Sequence, residues 1–238
     1  MSSTTPQAEA HEHSHADVSG GWLRAAVFGA MDGLVTNTAL VAGVGGGGAA
    51  PRAIVLAGVA SLVAGAISMA LGEYTSVNTQ NEQLDLEVDK ERRELERNPE
   101  GELAELTAML RARGVEDGLA REVAEQLSRD PETALRLHVV AELGLSPEDK
   151  PSPMTAAVSS FFTFGAGALL PLLPFLFSIS VLWPALVCGG LGLLTAGALS
   201  ARFTPRPWWF SGLRQLLFGA AAAGITYLIG AAIGVSVT

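Results

Sequence analysis

Cysteine is almost absent from this chain: Cys188 stands alone among 238 residues. An intrachain disulfide is therefore excluded. Cys188 lies in a glycine-rich apolar run and reads as a small packing residue rather than a ligand. Charge is scarce too, at 16% of residues, and acidic groups outnumber basic ones 24 to 15 for a formal net charge of −9. No basic stripe exists that would neutralise phosphates, which argues against nucleic acid as a partner. The glycine run 45–48 precedes no Lys-Ser/Thr pair, so it is no phosphate cradle, and no dinucleotide fingerprint appears. No nucleophile–base pair is found either, so an enzyme is not expected. Without an ATP site, any uphill transport has to draw on an ion gradient. The first 20 residues lack a basic n-region, so no cleaved signal peptide is expected.

What the chain has in quantity is apolar sequence, 49% of residues, and the charge is segregated from it. Between Ser76 and Lys150 fall 19 of the 24 acidic and 10 of the 15 basic residues. The rest is mostly apolar segments as long as the ~20 residues a bilayer-spanning helix needs. Five spans are expected, at 22–44, 52–75, 154–178, 182–202 and 211–237. The fold class is thus an all-α integral membrane protein, five transmembrane helices with a polar helical domain inserted between helices two and three. The divisions are a His-bearing tail (1–20), helices one and two (21–76), the acidic helical domain (77–150) and helices three to five (151–238). Arg24, Arg202, Arg206 and Arg214 share one side in this topology, with Arg52 opposite. The positive-inside rule then places the N-terminus and residues 77–150 in the cytoplasm and the C-terminus outside.

Along the chain, His11, His13 and His15 alternate in a tail that reads as flexible and polar, or as a weak site for a divalent metal. Gly45-Gly46-Gly47-Gly48-Ala49-Ala50-Pro51 is a turn between two antiparallel spans. Small residues crowd the second span (Gly58, Ala60, Ser61, Ala64, Gly65, Ala66), and Gly230 and Gly234 repeat a small-xxx-small spacing. Such residues let helix backbones approach within a subunit or across a dimer seam. The polar stretch reads as helices: charged sequence from Val77 to Arg97, then a restart with Asn98 as cap and Pro99 at the first helical position. Leu103, Leu106, Met109 and Leu110 have helical spacing up to Gly114. A third helix presents Leu119, Val123 and Leu127 on one face. Asp130-Pro131 opens a fourth, closed by Gly144, and Pro147, Pro151 and Pro153 form a linker.

Asp32 is the residue hardest to explain as structure. It sits about ten residues into the first span, where an ionised carboxylate costs about 2.5–3.5 kcal/mol even on mild insertion scales. Intramembrane carboxylates read by default as ion or proton sites, and desolvation raises such a group's affinity for a proton. Thr36, Asn37 and Thr38 follow and offer a polar lining. Glu73, at the end of span two, reads as an entrance carboxylate or as an ordinary interfacial residue. Met69, one turn before it, offers a soft thioether to a transition metal or simply fills the core. In the polar stretch, Glu91 with Glu94 and Glu102 with Glu105 are carboxylate pairs at i, i+3, and His138 with Glu142 lies at i, i+4. These groups can converge on a cation, or they can form a solvated charged face beside Lys90, Arg93 and Arg97. Spacing alone leaves both open.

Three segments together resemble the vacuolar iron transporter family: Gly29-Ala30-Met31-Asp32-Gly33-Leu34-Val35-Thr36, Gly72-Glu73-Tyr74-Thr75-Ser76-Val77, and the two glutamate pairs around Asn98-Pro99. The resemblance covers nearly the whole chain from Trp22. It implies a homodimer with five spans per subunit that moves Fe²⁺, and often Mn²⁺, out of the cytosol in exchange for protons. It implies Asp32 as the proton-coupling residue, Met69 on the transport path, and Glu91, Glu94, Glu102, Glu105 and Glu142 as metal-collecting glutamates. One departure is His138, where the resemblance leads to a methionine. Imidazole binds Fe²⁺ or Mn²⁺, but in a way sensitive to pH near its ordinary pKa of about 6.5. No resident cofactor is expected; the ions are cargo. The partners expected are divalent transition-metal ions, protons, the lipid bilayer and a second copy of the chain. The compact His-bearing tail points to a bacterial plasma membrane. A non-transporting metal sensor and a passive cation channel are the alternatives, though polar residues in the spans are sparse for an open pore.

Overall fold

The computed structural model describes residues 21–144 and 150–237. The tail with His11, His13 and His15, and linker residues 145–149 with Pro147, lie outside them. Among the described residues every regular element is helical. Helix α1 (Trp22–Gly46) reverses through the glycine turn, where Gly48 takes a φ of +77°, into α2 (Pro51–Arg97). Helices α3 (Pro99–Ala112), α4 (Asp117–Leu127) and α5 (Pro131–Leu143) form the polar module. Helix α6 (Pro153–Leu169) continues through a 3₁₀ turn into the short α7 (Leu173–Leu176), and α8 (Leu182–Ser200) and α9 (Trp208–Val237) complete the chain. Five helical segments are long and apolar enough to cross a bilayer: Trp22–Gly46, Pro51–Arg97, Pro153–Leu176, Leu182–Phe203 and Trp208–Gly234.

Helix α2 is continuous across residues 76 and 77, where the composition turns from apolar to charged. No proline interrupts it, and the one glycine near the junction, Gly72, costs a helix only about 1 kcal/mol. Its 47 residues make a rod ~70 Å long, against ~30 Å of bilayer hydrocarbon. The second apolar helix and the first helix of the polar module are therefore one rigid element.

Helix α1 lies at the centre of the apolar bundle, packed against α6, α9, α8 and α2. Its glycines set how close the partners come. A Cβ on Gly33 would stand 2.2 Å from the Phe164 carbonyl oxygen, and one on Gly230 would stand 1.9 Å from that of Gly43. The Gly230/Gly234 spacing thus seats α9 on the end of α1 within one chain. At the middle of the bundle, the fully buried Asn37 donates its amide to the carbonyls of Ala168 (2.6 Å) and Gly58 (3.3 Å), tying α1 to α6 and α2. In the 3₁₀ geometry after α6 the Ala168 carbonyl would take its bond from residue 171, a proline with no N–H. Asn37 fills that position.

In the polar module the caps stand where the sequence puts them. Asn98 accepts from the Gly101 N–H and Asp130 from the Thr133 N–H, both at 3.2 Å, and Gly114 and Gly144 take positive φ at the helix ends. Leu106 is buried, with Leu103, Met109 and Leu110 half-buried on the same helix. The α4 face departs from expectation. Ala120 and Ala124 are the residues it buries fully, Val123 and Leu127 are half-buried, and Leu119 is 51% exposed. α4 packs on α3, and alanines admit a closer approach than the leucine face one position around the helix.

Candidate metal centre

The turn at Asn98-Pro99 folds α3 back beside the end of α2, and α5 packs on α2 from another side. Three helices thereby deliver Glu91 (α2), Glu102 (α3), and His138 and Glu142 (α5) to one place. His138 Nδ1 lies 3.2 Å from a Glu91 oxygen, 3.4 Å from a Glu102 oxygen and 3.9 Å from a Glu142 oxygen. Glu91, His138 and Glu142 place one ligand atom each within 4.8 Å of one another. Donors bound about 2.0–2.2 Å from one ion stand roughly 3.0–3.5 Å from each other in tetrahedral or octahedral shells, so the cluster is nearly at ligand spacing. His138 is fully buried, and Glu91 and Glu102 are 6% and 7% exposed.

Four of these buried atoms lack a hydrogen bond. Glu91 Oε1, Glu102 Oε2 and both His138 ring nitrogens are buried with no hydrogen-bond partner. A buried polar group left unpaired costs about 1–3 kcal/mol, more when charged. Burial, then the charges of Glu142, Glu102, Glu94 and Glu105, push the Glu91 carboxyl up to about 7. Burial and the neighbouring carboxylates, Glu105 first, also raise Glu142, with His138 opposing them. Such a set of mutually repelling acids around an imidazole fits a divalent cation, which supplies both the missing charge and the missing bonds. Glu94 and Glu105 are exposed and act on the inner groups through their charge. The two i, i+3 pairs therefore divide into an inner glutamate each (Glu91, Glu102) and an outer one each.

In the apolar bundle, Asp32 is half-buried on α1 and accepts from the Thr36 hydroxyl at 3.3 Å. Met69 is partly buried against Ala66, Phe164 and Ala168. Glu73 is 7% exposed and ion-paired with Arg24 of α1 at 2.9 Å. That pair escaped the sequence reading because 49 residues separate its members. The one available signal was that Arg24 is the sole basic residue in the first apolar segment and that Glu73 ends the second.

A bundle of membrane-length helices, joined by one continuous helix to a buried carboxylate–imidazole cluster, defines an integral membrane protein with a candidate cation site. The chain belongs to the VIT family, whose family profile matches residues 23–231. It is 37% identical over 94% of its length to the vacuolar iron transporter of Acanthamoeba castellanii, covering 84% of that protein. It is 32% identical to vacuolar iron transporter 1 of Eucalyptus grandis, over 91% of this chain and 88% of the relative. The corresponding figures for vacuolar iron transporter 1 of Oryza sativa are 30%, 93% and 90%.

Proposed function

We propose that this protein is a proton-coupled antiporter that exports Fe²⁺, and Mn²⁺ with it, from the cytosol. The observation that carries the reading is the cluster in which buried, unpaired Glu91, Glu102 and His138 meet the more open Glu142, with Glu91 on the same helix that enters the apolar bundle. The names of the relatives support iron as cargo. Glu94 and Glu105 attract the ion by charge, and the inner four groups hold it. Nitrogen from His138 suits first-row transition metals over Mg²⁺ or Ca²⁺.

From this site the ion passes to Glu73 and Met69 and leaves on the opposite side as protons enter by way of Asp32. A half-buried carboxylate within a membrane helix is a group that can carry a proton. Residues 77–150 and the N-terminus face the cytoplasm in this reading, and the five apolar helices cross the membrane. A second copy covers the stripe of α2 that the chain itself leaves open: Leu56, Val63, Ile67, Leu71 and Tyr74, each more than 40% exposed.

The test is anaerobic Fe²⁺ uptake into proteoliposomes with the polar module outward, with and without an acidic lumen. Antiport requires uptake that depends on the gradient and alkalinises the lumen. Uptake indifferent to the gradient means a channel, and metal binding without uptake means a sensor.

A further inference from the structure

Helix α2 buries two carboxylates, Glu73 and Glu91. They are eighteen residues apart, five full turns, so they face the same side of the rod about 27 Å from each other. Glu91 meets only other acids and an imidazole. Glu73 meets Arg24, through one hydrogen bond from Nη2 to Oε2 at 2.9 Å. The two partners differ sharply in exposure: the Arg24 side chain is 60% exposed and the Glu73 side chain 8%.

This asymmetry decides which member can let go. A carboxylate taken out of water and left unpaired is strongly unfavourable, so a cation beside Glu73 is strongly favoured. Arg24 keeps most of its hydration while paired, and swinging its guanidinium into water forfeits little. The fixed anion and the movable cation form a seat in which one cation can replace another. A divalent ion brings twice the charge, and Met69, one turn earlier on the same helix, adds a soft donor nearby. We infer that Arg24 and an incoming divalent metal ion compete for Glu73, so that this ion pair is an exchangeable cation seat at the mouth of the bundle. Arg24 holds the seat closed when metal is absent and is displaced when metal arrives. The inference rests on the reading of Glu73 as part of the metal's route. The competing account is a permanent pin between α1 and α2.

The two accounts separate in the full-length wild-type chain, purified in detergent and treated with phenylglyoxal, which modifies free guanidinium groups. Mass spectrometry of the Arg24 peptide gives the rate with and without Mn²⁺, with the arginines of the polar module as internal reference. Exchange predicts that Mn²⁺ speeds Arg24 modification severalfold; an unchanged or slower rate overturns it. In a second measurement, Arg24→Gln should bind Mn²⁺ at the Glu73 seat more tightly than wild type with the same stoichiometry at saturation, and adding Glu73→Gln should remove one Mn²⁺ per chain. In proteoliposomes Arg24→Gln should lower the half-saturating Fe²⁺ concentration about tenfold, the factor that ~1.4 kcal/mol supplies. Unchanged Mn²⁺ affinity in Arg24→Gln also overturns the seat. Failure of the wild-type chain to move Fe²⁺ would remove the transport reading instead, and the labelling result would stand on its own.

Discussion

The two halves of α2 bury the same kind of group in opposite ways. In the apolar half the buried carboxylate, Glu73, has a cation beside it, supplied by Arg24 from the neighbouring helix. In the polar half the buried carboxylates, Glu91 on α2 and Glu102 folded against it from α3, have none; they face each other, Glu142 and the His138 ring. A protein can bury an acid beside a cation of its own chain, or bury several with no such cation and leave their charge for an ion to balance. The apolar half holds its shape through glycine contacts and the Asn37 bridge. The polar half leaves part of its cohesion to whatever cation the cluster takes up.

Four changes would break or sharpen this contrast. The largest effect is expected from Asp32→Asn, which should reduce gradient-driven Fe²⁺ uptake to the background of empty liposomes while leaving Mn²⁺ affinity in detergent unchanged. Uptake at the wild-type rate would remove Asp32 from proton coupling. Next, Glu102→Gln should weaken Mn²⁺ binding at least as much as the ~10–100-fold that loss of outer-shell partners costs at metal sites. Glu105→Gln should change it far less, because that side chain is exposed. Equal losses in titration calorimetry would erase the distinction between inner and outer glutamates.

The third prediction concerns pH. The Glu91 carboxyl rises from an ordinary value of 4.5 to about 7 in the folded chain. Between those values the folded, metal-free protein binds more protons than the unfolded chain, so its stability falls as pH rises through that window. Thermal unfolding of the metal-free module, followed in the intact protein at intervals from pH 5 to 8, should show that decline, and saturating Mn²⁺ should reverse it. The smallest effect belongs to Asn98→Ala. It removes the cap bond to Gly101 at the turn that brings Glu102 beside Glu91, and should cost about 1 kcal/mol, read as a lowered unfolding midpoint of the module.

Much of this architecture was legible in the sequence, for identifiable reasons. The apolar segments announce themselves by length, and the helix starts at Asn98-Pro99 and Asp130-Pro131 by cap chemistry that acts over three or four residues. Local rules stop where tertiary packing begins. Charge composition marks residue 77 as a boundary, but a helix backbone has no reason to break there, and α2 runs through. Periodicity put Leu119, Val123 and Leu127 on one face of α4; Val123 and Leu127 are half-buried, but the residues buried fully are Ala120 and Ala124. The six acidic and imidazole groups of the candidate site were found by spacing and family resemblance. Their division into four inner and two outer groups follows from how α3 and α5 dock on α2. The Arg24–Glu73 pair belongs wholly to tertiary structure.

The central claim is that the buried, unpaired carboxylates around His138 are a metal site. Crystals of the full-length protein soaked in Mn²⁺ and measured for anomalous scattering address it most directly. The account predicts a peak among Glu91, Glu102, His138 and Glu142, about 2.0–2.2 Å from the His138 Nδ1 and the nearest carboxylate oxygens. A peak confined to Glu94 and Glu105, with the inner groups hydrogen-bonded among themselves, would contradict it.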